Sequence, residues 1–314
     1  MHRSLLSISD LSDEDISQLL ELSRVFFEVN TREIPKVPAL RGKTVATLFY
    51  ENSTRTRLSF ELAASRLSAD VLTFTLASSS VSKGESLRDT AETIESLGAD
   101  LIVMRHSSSG SVQLVNSWLE VPLINAGDGA HEHPTQALLD AVTLMREFES
   151  GNRLDGLNIA IVGDILHSRV ARSNVQLMTR LGATVTLVGP PALLPADLSL
   201  WPVKVSNFLD EVLPDCDVVY VLRIQTERIS ESVMPSLSEF SKSFALNSTR
   251  LSRAKKDAVV MHPGPIIRGV EISGEVADSS QSLIRNQVEN GISVRMAALY
   301  WLLGADKGRL ETLW

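Results

Sequence analysis

Lys43-Thr44-Val45-Ala46-Thr47-Leu48-Phe49-Tyr50 is an apolar, β-branched and aromatic run, and Ser53–Leu67 continues it with helical spacing. A short apolar run of this kind reads as a strand buried on both faces. The same couplet recurs outward along the chain. Val71–Leu76 reads as a strand and Ser86–Leu97 as a helix, with Leu87, Ala91, Ile94 and Leu97 on one face. Asp100–Arg105 is an expected strand, Val112–Leu119 a short helix, Pro122–Asn125 a brief strand and His133–Phe148 a long helix. After the polar stretch Glu149–Gly156 the alternation restarts, with strands Asn158–Gly163 and Thr184–Gly189 around a helix over Ser168–Leu181. Further strands are expected at Asp217–Leu222 and Ala258–His262. A final helix spans Ser280–Leu303, with Gly291 as an interior weak point.

Strand–helix alternation of this kind requires an α/β fold, here two doubly wound parallel sheets divided near residues 149–156. Ligands on such sheets bind outside the carboxyl ends of the strands. That rule selects the segments after Tyr50, Leu76, Met104, Asn125, Gly163, Leu222 and Met261.

Composition narrows the function. The 314 residues are 44% hydrophobic and 22% charged, which excludes collagen-like and disordered chains. Thirty Lys+Arg against 38 Asp+Glu leave a net charge of −8, so a globally basic surface for nucleic acid or an anionic membrane is not expected. An anionic ligand would need local clusters of cations. The single cysteine, Cys216, can form neither an internal disulfide nor a cysteine-cluster metal site, and fits a reducing cytoplasm. The longest apolar run, Met296–Leu303, is eight residues, far short of the ~18 that span a bilayer. Leu5, Leu6 and Ile8 are soon broken by Asp10, Asp13, Glu14 and Asp15, which is not a signal-peptide pattern.

Several motifs fail. No Gly-x-Gly-x-x-Gly follows a strand in the first half, and Val162-Gly163-Asp164 offers one glycine, so a dinucleotide site is poorly supported. Gly42-Lys43-Thr44 imitates the end of a P-loop, but Val37 stands where its first glycine belongs, and a strand follows where a helix should. His131-Glu132-His133 lacks metalloprotease spacing, and neither metal nor cofactor is expected. There is no Gly-x-Ser-x-Gly elbow.

One motif carries chemistry. Tyr50-Glu51-Asn52-Ser53-Thr54-Arg55-Thr56-Arg57 lies at a strand-to-helix turn, where free backbone N–H groups and the helix dipole favour an anion. Three hydroxyls and a guanidinium within Ser53–Thr56 form a phosphate cradle that needs no glycine-rich loop; an N-cap explains one hydroxyl and not the cluster. Asn52, just before it, can itself cap the helix. Met104-Arg105-His106 after one strand and His133-Pro134-Thr135-Gln136 opening a helix add cations and polar groups after successive strands.

Ser-Thr-Arg-Thr-Arg followed by His-Pro-Thr-Gln resembles the transcarbamoylase family, and the likeness runs from His2 to the final helix. The resemblance implies a carbamoyl-phosphate domain of residues 1–145 with 287–314, to which the last helix returns, and an amino-acid domain of residues 146–286. It implies that Ser53, Thr54, Arg55 and Thr56 hold the phosphate, that Arg105, His133 and Thr56 hold the carbonyl oxygen, and that Gln136 holds the amino group. Ser79 and Lys83 would reach into a neighbouring subunit's site in a homotrimer. Arg169, Arg223 and Gln225 would grip the amino acid, and the backbone carbonyls of Pro263 and Gly264 would meet substrate amino groups. Catalytic weight would fall on Arg55, Thr56, Arg105, His133 and Lys83. Attachment of a regulatory chain or of dihydroorotase is left open, as is a substrate contact by Arg268.

Transfer of a carbamoyl group to an amine needs positioning and fixed positive charge more than a nucleophile or a metal. The expected acceptor is aspartate, as in pyrimidine biosynthesis, with ornithine as the alternative. Ornithine sites of the family resemble one another in a His-Cys-Leu-Pro segment, where this chain has His262-Pro263-Gly264-Pro265. Arg169 and Arg223 would repel a cationic side chain and pair with a β-carboxylate.

Overall fold

The computed structural model describes residues 3–75, 85–225 and 236–304. The chain forms two compact units, Met1–Val142 with Glu289–Trp314, and Thr143–Val288. In chain order the first unit holds α1 (Asp13–Asn30), β1 (Thr44–Phe49), α2 (Thr54–Arg66), β2 (Asp70–Thr75), α3 (Leu87–Ser96), β3 (Leu101–His106), α4 (Ser111–Asn116), β4 (Leu123–Asp128) and most of α5 (Pro134–Glu147). The second continues with β5 (Asn158–Val162), α6 (Arg169–Arg180), β6 (Thr184–Val188), β7 (Lys204–Ser206), α7 (Leu209–Val212), β8 (Val218–Val221), α8 (Leu237–Phe244), α9 (Ser248–Leu251), β9 (Val259–Met261) and α10 (Gly274–Ala277). The last helix, α11 (Ile284–Leu303), starts there and from Glu289 onward belongs to the first unit.

Both sheets are parallel, in the orders β2-β1-β3-β4 and β7-β6-β5-β8-β9. Strands covered by helices on both faces should be apolar throughout. Accordingly Val45 to Phe49 in β1, all of β4 and all of β8 are buried. Each order reverses once. The first sheet turns back between β1 and β3 and the second between β5 and β8, which places a binding crevice at the carboxyl ends of those pairs.

The two reversals are clamped alike at their amino ends. Asp100, before β3, accepts Lys43 Nζ and Thr44 N, both at 2.8 Å. Asp217, before β8, accepts Lys255 Nζ at 2.8 and 2.9 Å and Asn158 N at 2.9 Å. Burial alone would raise the Asp217 carboxyl, but these hydrogen bonds outweigh it and hold it below the ordinary value of 3.8. A depressed carboxyl stabilises the fold above its unfolded pKa, and that stability is lost as pH falls through the folded value. Asp217→Asn should therefore lower the unfolding free energy by about 1 kcal/mol at pH 7. In urea melts the gap should close as pH drops below 3.8.

Three local differences from the sequence reading have physical causes. α1 is built on a capping box: Ser12 Oγ accepts Asp15 N at 3.1 Å, and Asp15 returns the bond from Ser12 N at 3.1 Å. Asp13, Glu14 and Asp15 thus form the first turn of a helix. α2 is capped by Ser53, whose Oγ accepts Thr56 N at 3.4 Å, and Asn52 is exposed before it. The final helix begins at Ile284 and not Ser280, because Ser282 bridges Val260 and Leu283 N donates to Val260 O at 2.8 Å.

Candidate active site

The reversal of the first sheet gathers the predicted anion-binding residues. Tyr50 N donates to Arg105 O at 2.8 Å, so the chain leaving β1 runs beside the end of β3 as it enters α2. On the first turn of α2, Thr54 and Arg55 are exposed and Thr56 is buried. Arg105 keeps only 11% of its side chain exposed; its Nη2 donates to Glu51 Oε1 at 2.5 Å and its Nη1 to Ala126 O at 3.2 Å, at the end of β4. The guanidinium is thereby fixed across the ends of β1, β3 and β4.

The segment from β4 to α5 is folded by one carboxylate. Asp128, fully buried, accepts Gly110 N at 2.7 Å, Asn125 Nδ2 at 2.8 Å and Glu132 N at 3.1 Å. His131 Nδ1 lies 3.1 Å from the same carboxylate. His133 and Gln136, on the other side of this turn, are 3% and 6% exposed. Gln136 Nε2 donates to Asp140 Oδ1 at 3.0 Å. His106, just past Arg105, has its pKa lowered by burial, against the opposing pull of Asp128 and Glu51. The whole is a helix N-terminus with hydroxyls and neighbouring guanidinium groups, able to hold and polarise a phosphorylated carbonyl compound.

In the second unit the lone glycine of Val162-Gly163-Asp164 has a steric purpose. Gly163 adopts φ +130°, and a Cβ there would meet Leu222 O at 2.7 Å. β5 and β8 approach at their carboxyl ends more closely than any side chain allows. Beyond the glycine, buried Asp164 ties two loops together: Oδ1 accepts His167 N at 3.2 Å with His167 Nδ1 at 2.9 Å, and Oδ2 accepts Gln225 N at 3.2 Å. Ser168 then caps α6 by accepting Ala171 N at 3.1 Å, which sets buried Arg169 as the first helical residue. Arg223 Nη2 donates to Gln225 Oε1 at 3.3 Å. Arg169, opening α6, and Arg223 with Gln225, after β8, thus follow segments joined by Asp164, and each guanidinium is of the kind that suits a carboxylate.

Pro263 and Gly264 lie in a turn held from beneath. His262 Nδ1 accepts Gly264 N at 2.7 Å, which leaves the ring proton on Nε2, 3.2 Å from Glu271 Oε1. The same carboxylate oxygen accepts Ile267 N at 2.6 Å. Arg268 forms an exposed pair with Asp278 at 2.7 and 2.9 Å, which accounts for it as a surface ion pair. Cys216 is buried, its thiol pushed up to about 12 by burial first and by Asp217 and Asp215 next, so it is unreactive. Ser79 and Lys83 lie outside the described residues. Sequence reasoning assigns no task to Glu51, Asp164 or Glu271. Their signal is weak because a single acidic residue after a strand has many structural uses.

Comparison with known proteins follows the same division. The model of the carbamoyl-phosphate-binding domain of aspartate/ornithine carbamoyltransferases matches residues 3–146, and that of their Asp/Orn-binding domain matches residues 155–302. The aspartate carbamoyltransferase catalytic subunit of Thermobifida fusca is 56% identical over 300 residues, covering 96% of this chain and 95% of the relative. The structure of Trypanosoma cruzi aspartate transcarbamoylase in complex with carbamoyl phosphate and aspartate superposes with a TM-score of 0.87 at 33% identity, over 96% of this chain and 97% of the other. The catalytic subunit of M. jannaschii aspartate transcarbamoylase gives a TM-score of 0.82 at 40% identity, over 97% of this chain and 99% of the other. With both domain models matched in order and relatives aligned along nearly its whole length, this chain belongs to the aspartate/ornithine carbamoyltransferase family.

Proposed function

We propose that the chain transfers the carbamoyl group of carbamoyl phosphate to the amino group of L-aspartate, giving N-carbamoyl-L-aspartate and phosphate, a step of pyrimidine biosynthesis. The observation that carries this is the 56% identity, over nearly all of both chains, to an aspartate carbamoyltransferase catalytic subunit. The paired arginines of the second unit support the choice of acceptor, since Arg169 and Arg223 suit a dicarboxylate and repel ornithine's side chain. The His262-Pro263-Gly264-Pro265 segment supports it too.

The first turn of α2 binds the phosphate through Ser53, Thr54, Arg55 and Thr56. Arg105, His133 and Thr56 donate to the carbonyl oxygen, and Gln136 accepts from the carbamoyl amino group. As the amine lone pair attacks the carbonyl carbon, negative charge grows on that oxygen, where fixed donors stabilise it most. The bond from carbon to the bridging phosphate oxygen then breaks, and the departing phosphate accepts the amine proton. His133 is thus a donor and not a base. Arg169, Arg223 and Gln225 orient aspartate, and the carbonyls of Pro263 and Gly264 accept from substrate amino groups. Product analysis with carbamoyl phosphate and either amino acid tests the assignment: carbamoyl-ornithine formed faster than carbamoyl-aspartate would overturn it.

The enzyme is read as a cytoplasmic homotrimer whose sites are completed by Ser79 and Lys83 of a neighbour. An uncovered apolar stripe supports assembly: Leu58 and Leu62, one turn apart on α2, are 52% and 40% exposed. Subunit mixing tests the shared site. Arg55→Ala and Lys83→Ala chains should each be nearly inactive alone and regain activity when mixed, because some sites then combine an intact cradle with an intact lysine. Mixed trimers that stay dead would place Lys83 in its own subunit's site.

A further inference from the structure

Arg295, on α11, is a buried cation to which the mechanism above gives no task. It is 4% exposed. Its Nη1 donates to Ser59 Oγ at 2.9 Å and, along its own helix, to Gly291 O at 3.1 Å, and its guanidinium lies 5.1 Å from the centre of the Phe60 ring. Its Nε is buried and, among the described residues, has no hydrogen-bond partner. A hydroxyl, a carbonyl and a ring face return little of the cost of taking a guanidinium out of water. The surrounding charges add to that cost. Burial first, and then the repulsion of Arg55 and Arg105, push its pKa down to about 9, and only Asp140 works the other way. Three cations therefore share a neighbourhood in which Glu51 is taken up by Arg105 and Asp140, the carboxylate that acts on Arg295, already accepts from Gln136.

Gly291 shows that the placement is built in. A glycine inside a helix costs about 1 kcal/mol relative to alanine. A Cβ at this position would meet Arg295 Nη1 at 2.5 Å and Leu139 Cδ2 at 3.3 Å, so the missing side chain is the space into which the guanidinium folds. Ser59, which it grips, lies three residues beyond Thr56 and hence on the same side of α2.

We propose that Arg295 is a positioning residue of the phosphate-binding turn: from behind α2 it holds the second turn through Ser59 and keeps a standing positive charge at this end of the unit that a bound dianion completes. The proposal rests on the carbamoyl-phosphate reading of the first unit. A purely structural tie between α11 and α2 would use the same hydrogen bonds, so the test needs a readout that packing alone does not move.

Titration calorimetry with inorganic phosphate and with carbamoyl phosphate, alongside thermal unfolding of the unliganded protein, supplies it. Arg295→Met keeps the volume and removes the charge. It should bind both anions about tenfold more weakly, the loss expected for one partly screened charge near a dianion. Its unliganded Tm should not fall, because the cost of burying the charge and its repulsion by Arg55 and Arg105 go with it. Arg295→Lys should recover most of the affinity. Gly291→Ala, which crowds the guanidinium and leaves its charge, should also weaken both anions. An Arg295→Met protein that melts lower and binds both anions as before overturns the proposal. Should that variant not fold, unchanged affinity in Gly291→Ala overturns it. A wild-type chain that binds both anions yet forms no carbamoyl-aspartate would end the functional reading and leave the role of Arg295 standing; one that binds neither anion ends both.

Discussion

Arg55→Ala should lower kcat by about 10²–10³, the usual loss when one fixed donor to developing charge is removed. Its Tm should stay the same or rise. Arg55 is exposed on the first turn of α2 and repels Arg295, so the unliganded fold gains little from it. The charge it meets increases as the bond to phosphate breaks, so its contribution is larger in the transition state than in the complex. With carbamoyl phosphate saturating, the aspartate KM should therefore change little. Arg55→Lys should recover part of the rate, since an ammonium keeps the charge but not the fork of donors. Steady-state kinetics in both substrates, with a melting curve for each variant, is the measurement. Turnover within tenfold of wild type would reduce the Ser53–Thr56 cluster to a helix cap.

The sheets, and the crowding of polar groups at the first strand-to-helix turn, are legible because their signals are local. A buried parallel strand is a continuous apolar run, and Lys43–Tyr50, Asp100–Arg105 and Asn158–Gly163 lie within a residue or two of β1, β3 and β5. Hydroxyls and guanidinium groups crowded at a strand-to-helix turn also read directly. The supporting residues did not, because their meaning depends on partners far away in the chain. Asp164 is one acid after a glycine until Gln225 N, 61 residues on, is seen to donate to it. Arg295 looks like one charge in an apolar helix until Ser59, 236 residues earlier, is found against it. Gly291 reads as a flaw by propensity, because propensity has no term for a guanidinium that needs the space. α1 is hard to read for a different reason: its capping box is local, but an acidic first turn looks the same as solvated surface charge.

Arg223→Ala should raise the aspartate KM by about 10²-fold, since cutting one side of a charge-assisted carboxylate clamp costs about 2–5 kcal/mol. Carbamoyl phosphate affinity should be nearly unchanged. The separation follows from the fold: Arg223 leaves β8 in the second unit and is aligned by Gln225, whereas the phosphate-binding turn belongs to the first. Arg223 is only half-buried and Asp164 holds the loop through Gln225 N, so the substitution should leave the loop in place. Asp164→Ala would release that loop together with His167 and should change KM and kcat at once. Comparing the two variants separates a lost contact from a lost scaffold. For Arg223→Ala at saturating aspartate, kcat should recover to within about tenfold of wild type, because a clamp used equally in the ground and transition states lowers KM without raising kcat. A collapse of carbamoyl phosphate affinity in Arg223→Ala, with aspartate KM unmoved, would reverse the assignment of the two substrates to the two units.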